Sequence, residues 1–109
     1  MEEKRKLPRI EVNWPVEVFL DDKIIEGTVK NITLKGLFVC FEEPVTLKEK
    51  FRLSVFTSSD KVMNIVGKTV WSDSYAIDEE NTPVCIGLSF VRISTEDITS
   101  LREILHDYR

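Results

Sequence analysis

Histidine occurs once in this chain and cysteine twice, and no run of apolar residues is long enough to cross a bilayer. Each scarcity removes a class of function. The lone histidine, His106, falls in the last turn of a predicted C-terminal helix, where it suits the carbonyl end of the helix dipole. The acidic groups Asp21–Asp22, Glu42–Glu43 and Asp78–Glu79–Glu80 fall at expected turns and read as solvated carboxylates. A metal centre or an acid/base pair needs ligands that converge, and the sequence shows no such convergence. No enzyme, no metal and no cofactor is therefore expected. Cys40 in LFVCF and Cys85 in PVCIG are flanked by apolar residues and belong to no CxxC or Cys/His cluster. A disulfide between them is geometrically possible, but nothing asks for one, and the favoured reading is two buried thiols acting as small hydrophobes. The N-terminal cations are followed by no apolar stretch of the kind a signal peptide carries. A cytoplasmic protein without membrane insertion is the expectation.

What the chain does have is material for one small β-rich domain. Its 109 residues, 42% hydrophobic and 31% charged, fit a single globular unit. β-branched and aromatic residues gather in 12–20 (VNWPVEVFL), with Pro15 suiting an edge or a bulge. In 24–32 (IIEGTVKNI), Ile24, Glu26, Thr28 and Lys30 share one face, and Ile25, Gly27, Val29 and Asn31 the other. The stretch 36–41 (GLFVCF) is nearly continuous apolar, as in a strand buried on both sides. Phe51, Leu53 and Val55 alternate inward in 51–56; 62–71 is a long strand in which Gly67 marks a bulge or bend; 83–93 is the last strand. The ending differs in kind. Ser94 can cap a helix with Asp97 three residues later, and Ile98, Leu101, Ile104 and Leu105 recur at helical spacing. Six strands closed by one amphipathic helix predict a mainly β fold, a small antiparallel barrel with a C-terminal α-helix. No internal repeat or low-complexity linker interrupts it.

One stretch runs against the net charge of −4: Lys4, Arg5, Lys6 and Arg9 put four cations into KRKLPR. Arg5 and Arg9 are spaced R-x-x-x-R, and Pro8 argues against a helix through them, so they belong to an extended or turning segment. Further on, Asn31, Thr33 and Gly36 form N-x-T-x-x-G at the junction of the second and third strands. Asn and Gly alone are ordinary turn chemistry. The hydroxyl between them is not something a hairpin requires.

The two motifs together resemble the PilZ domain, whose pattern is R-x-x-x-R ahead of the first strand and [Asp/Asn]-x-Ser-x-x-Gly at the turn between the second and third. The resemblance covers nearly the whole chain, through RKLPRIEVNWPVEV, GTVKNITLKGLFV, VGKTVW and CIGLSF. It implies a six-stranded barrel (residues 12–109, behind a flexible segment 1–11 that carries the arginines), a bacterial source, and binding of the second messenger cyclic di-GMP. It assigns the ligand to Arg5, Arg9, Asn31, Thr33 and Gly36. An Arg fork matches guanine N7 and O6, pairs with phosphate and stacks on a base. Asn31 and Thr33 are fixed polar groups, and Gly36 lets the backbone turn and come close. Asn31 stands where Asp is frequent and offers one acceptor oxygen instead of two. Thr33 keeps the hydroxyl of Ser and adds a methyl. The resemblance further implies that Lys4, just before the motif, bears on whether one nucleotide or a stacked pair is held. Trp71 offers a stacking platform, with a half-buried barrel tryptophan as its alternative.

The expected role is an adaptor that binds cyclic di-GMP and alters its surface for an unidentified protein partner. The rival readings are a PilZ-fold interaction module that binds no nucleotide, a small barrel for single-stranded nucleic acid, and a nucleotide hydrolase. An acidic chain with its cations at one end speaks against the nucleic-acid reading, so no DNA or RNA is expected. The absence of a credible base speaks against the hydrolase.

Overall fold

Strands form where the alternation demands them. The structure is a computed structural model and describes residues 9–43, 45–46, 48–58, 60–72 and 84–107. Six strands, β1 (Ile10–Phe19), β2 (Ile24–Ile32), β3 (Gly36–Phe41), β4 (Lys50–Phe56), β5 (Val62–Ser72) and β6 (Cys85–Ile93), are followed by α1 (Thr95–Asp107). All strand pairs are antiparallel, and they close into a barrel in the order β1-β2-β3-β6-β5-β4. β1 begins two positions before the expected start, at Ile10, because Ile10 and Val12 are both buried and continue the inward set Trp14, Val16 and Val18.

The inward residues fill the barrel as side-chain layers. Val29, Ile32, Val39, Phe51, Leu53, Val55, Met63 and Ile86 are at most 2% exposed, so the interior is a packed core. Closure leaves no free sheet edge. Pro15 is tolerated because the β1–β4 ladder starts only at Val16 and the β1–β2 register shifts just ahead of it, between Glu11 and Trp14. Gly67 lies at a register shift, as its place in a long strand predicted.

The helix boundary follows the expected cap. The Asp97 N–H donates to Ser94 Oγ at 3.0 Å, and the Ile98 N–H to the Ser94 carbonyl at 2.9 Å. Leu101 and Leu105 are buried in the barrel core, and Ile104 packs against it. α1 follows β6 directly, and through these residues it shares the barrel's core.

Two sequence expectations need correction. The cysteines are not independent buried thiols: Cys40 and Cys85 are directly opposed on β3 and β6, half-buried on the outer face, and joined in a disulfide. The Phe41 N–H donates to the Val84 carbonyl, which makes Cys40/Cys85 a non-hydrogen-bonded pair, the kind whose side chains lie closest; their Cα atoms are 4.1 Å apart. The bond closes a loop with a sequence separation of 45. On loop-entropy grounds the oxidised form is more stable than a Cys40→Ser/Cys85→Ser double variant by about 2–4 kcal/mol. Urea denaturation with and without reductant checks this, and coincident midpoints would remove the disulfide from the stability account.

The second correction concerns GLFVCF. It is not covered by a second layer. Leu37, Val39 and Phe41 face the core, whereas Phe38 and Cys40 face outward and are half-covered by Trp71 and by the disulfide partner.

Candidate functional site

Asn31 reaches the surface through a β-bulge. The β2–β3 register shifts between Val29 and Asn31, so Lys30 is the extra residue and the alternation reverses there. Val29 and Ile32 both point inward at 0% exposure, and Asn31 stands on the outer face. A strict two-residue period had grouped Asn31 with Val29; the bulge overturns that.

Thr33 builds the turn that follows. Its N–H donates to the Gly36 carbonyl at 2.9 Å, and its Oγ1 accepts from the N–H groups of Lys35 at 3.0 Å and Gly36 at 3.2 Å. The hydroxyl's own donor is directed at the Gly36 carbonyl over a long 3.4 Å. Both acceptor positions are thus spent on the turn, and only the proton is available to an anion. The hydroxyl that a generic hairpin does not need is in use in this one.

Gly36 has a reason different from the expected one. No glycine among the described residues has positive φ, so a special dihedral is not what it supplies. A Cβ at position 36 would overlap the carbonyl oxygen of Leu88 and press on Ser89 Cα at 3.2 Å. The glycine lets β3 approach the backbone of β6.

The strand registers bring these residues to one side. Arg9 is exposed and immediately precedes Ile10, whose partner is Ile32, so it lies at the same barrel end as the Thr33–Gly36 turn. Across the outer face runs a row of successive partners: Glu11, Asn31, Phe38, Gly87, Trp71. Its four inter-strand steps follow the curved barrel wall for roughly 19 Å, around five of the six strands. Phe38 and Trp71 meet over Gly87 with ring centroids 5.4 Å apart and planes tilted by 47°. A Cβ on Gly87 would meet Trp71 Cβ at 3.4 Å, an ordinary contact. Trp71 is 50% exposed, which leaves an aromatic platform facing solvent. Arg5 and Lys4 lie outside the described residues. The acidic run 78–80 does as well.

Three members of the neighbourhood escaped the sequence reading. Phe38 was hidden in an apolar run that looked buried on both faces, although alternation within that run was the signal for it. Glu11 was assigned to the segment before the barrel. Lys35, exposed in the turn, was passed over between Thr33 and Gly36. A cleft of about 760 Å³ opens on the outer side of β1, β2 and β3, and is lined by Asn13, Lys23, Thr28, Lys30, Cys40 and Glu42 among others. None of Arg9, Asn31, Thr33, Gly36 or Trp71 lines it. The motif residues sit instead on an open, convex strand surface. No helix among the described residues is long and apolar enough to cross a membrane.

The fold and motifs can now be set against known proteins. The PilZ domain family model matches residues 3–107. Among solved structures, the chain is similar to the Bacillus subtilis inhibitor of motility MotI/DgrA (TM-score 0.78, 13% identity, covering 98% of this chain and 52% of that one). It is also similar to the PilZ domain with c-di-GMP of YcgR from Escherichia coli (TM-score 0.74, 18% identity, 96% and 91% covered). The YcgR structure in complex with c-di-GMP from the same organism matches with a TM-score of 0.72 at 17% identity, 97% and 46% covered. This chain therefore spans about half the length of MotI/DgrA and of that YcgR structure. No curated protein matches the sequence. With the family model covering nearly every residue, and a closed six-stranded barrel followed by one helix, the chain belongs to the PilZ domain family.

Proposed function

We propose that this chain is a receptor for cyclic di-GMP that binds the nucleotide on the outer barrel face beside the β2–β3 turn, and that nucleotide binding changes the surface offered to a protein partner. The family is one of cyclic di-GMP receptors, generally non-catalytic, and the similar E. coli YcgR structures hold that ligand. The observation that carries the reading is the convergence at one barrel end of Arg9, outward-facing Asn31 and the Thr33 hydroxyl. These groups come from either side of β1 and β2, and only the tertiary fold unites them.

Each group has a chemical task in this reading. Arg5 and Arg9 supply planar guanidinium forks to guanine N7/O6 and to phosphate. Asn31 reads a guanine edge. Thr33 turns its proton from the Gly36 carbonyl to a phosphate oxygen, which exchanges a 3.4 Å contact for a charge-assisted bond. The Phe38–Trp71 pair stacks a base. Lys4 stands near a second, stacked nucleotide where one is held. Replacing Trp71 by alanine is expected to weaken binding about tenfold, at the low end of base–aromatic stacking. Equal affinities would return Trp71 to a purely structural role.

The deciding experiment is calorimetric titration of the folded chain with cyclic di-GMP, beside cyclic di-AMP. Saturable heat with the guanine ligand alone supports the receptor reading, and the stoichiometry counts the nucleotides held. No heat with either ligand would favour a PilZ-fold module working only through protein contacts.

A further inference from the structure

Glu11 stands directly opposite Asn31 in the β1–β2 ladder. Its neighbours Ile10 and Val12 are each 8% exposed and point into the core, so Glu11 projects outward onto the face that carries Asn31. Directly opposed residues hold their Cβ atoms about 5 Å apart, so the carboxylate and the carboxamide address the same volume above the sheet. The carboxylate is uncommitted: among the described residues the one ion pair joins Lys48 to Asp21, and Glu11 is exposed.

The chemistry of guanine makes this pairing informative. Its Watson–Crick edge carries one acceptor, O6, and two donors, N1–H and N2–H. A carboxamide can satisfy only two of the three: Nδ2–H donates to O6, and Oδ1 accepts from N1–H. The N2–H group is left without a partner. We propose that Glu11 is a specificity-determining residue, its carboxylate accepting from guanine N2–H so that Glu11 and Asn31 together read the complete edge. Where Asp is frequent in the family this chain has Asn31, and the missing acceptor is supplied from the adjacent strand. Adenine is separated at Glu11 alone: a flipped Asn31 carboxamide can serve its N6–H and N1, but its C2–H offers the Glu11 carboxylate no donor.

This assignment rests on the cyclic di-GMP reading and deepens it. The test is a calorimetric cycle on the full chain with Glu11→Ala, Asn31→Asp and both together. Two ligands are used: cyclic di-GMP and its inosine analogue, which lacks the 2-amino group. Glu11→Ala is expected to weaken cyclic di-GMP binding about 10- to 100-fold, the range for a hydrogen bond to a charged group. Asn31→Asp alone brings no gain, because it sets two carboxylates directly opposite one another. Asn31→Asp in the Glu11→Ala background restores affinity, because the new carboxylate accepts both donors. The inosine ligand binds the parent chain more weakly, and Glu11→Ala costs it nothing further. Unchanged cyclic di-GMP affinity in Glu11→Ala, or an equal loss for both ligands, overturns the Glu11 assignment and leaves the receptor reading intact. If the folded parent chain binds neither dinucleotide, both readings fall together. Glu11 is exposed, so its truncation leaves the core untouched, and thermal melting of each variant verifies this.

Discussion

Exchanging Arg5 and Arg9 together for alanine is expected to lower cyclic di-GMP affinity by about two to four decades, each charge-assisted contact being worth about 1.5–3 kcal/mol. The effect is the largest anticipated for the site because two charge-assisted contacts are lost together, whereas most of the other groups are neutral. Asn31 offers a carboxamide, Thr33 has two of its three hydrogen-bonding positions spent on the turn, and the aromatic pair gives stacking without charge. Arg9 is exposed and immediately precedes Ile10, whose partner Ile32 adjoins the Thr33 turn. An Arg5→Lys/Arg9→Lys variant should recover only part of the loss, since an ammonium keeps the charge but cannot form the planar two-bond match. Calorimetry beside the parent protein, with melting curves confirming the fold, reads the result. Affinity unchanged in the double alanine variant would mean that the arginines do not touch the nucleotide.

A Gly36→Ala substitution is expected to act on stability first. The added methyl overlaps the Leu88 carbonyl oxygen and crowds Ser89 Cα, and both are backbone atoms of a paired strand that cannot step aside. Overpacking of this kind costs about 3 kcal/mol, which for a domain of this size lowers Tm on the order of 10 °C. Differential scanning calorimetry checks the figure, and an unchanged Tm would show that β3 and β6 can separate at no cost. There is a practical consequence for testing the proposed nucleotide site. A loss of binding in Gly36→Ala reports the displaced β2–β3 turn, whereas changes at Arg9, Glu11 and Asn31 report contacts, because those three side chains lie outside the core.

Much of the architecture was legible before any coordinates. Alternation placed the inward set of β4, the cap at Ser94 set the start of α1, and the stripe Leu101/Leu105 named the helix face that is buried. Local patterns succeed where the determinant is local: burial period along a strand, a side-chain oxygen three residues from an N–H. The R-x-x-x-R and N-x-T-x-x-G spacings were likewise enough to point to the PilZ family, whose model spans nearly the whole chain.

The failures share a physical cause, which is that each depends on what another strand does. The bulge at Lys30 is a property of the β2–β3 pair, and one inserted residue inverts every face assignment after it, which is why Asn31 was grouped with Val29. The Cys40–Cys85 bond needs the β3–β6 register, set by residues far from either cysteine. Gly36 is glycine because of the Leu88 carbonyl on β6. Glu11 became part of the candidate site only when β1 was paired to β2. By itself the sequence determined the strands, the helix and the chemical types available to a ligand, since propensity, period and capping act within a few residues. Only the tertiary structure decided which of those types share a face, because a strand's register is settled by its partner's packing and hydrogen bonds.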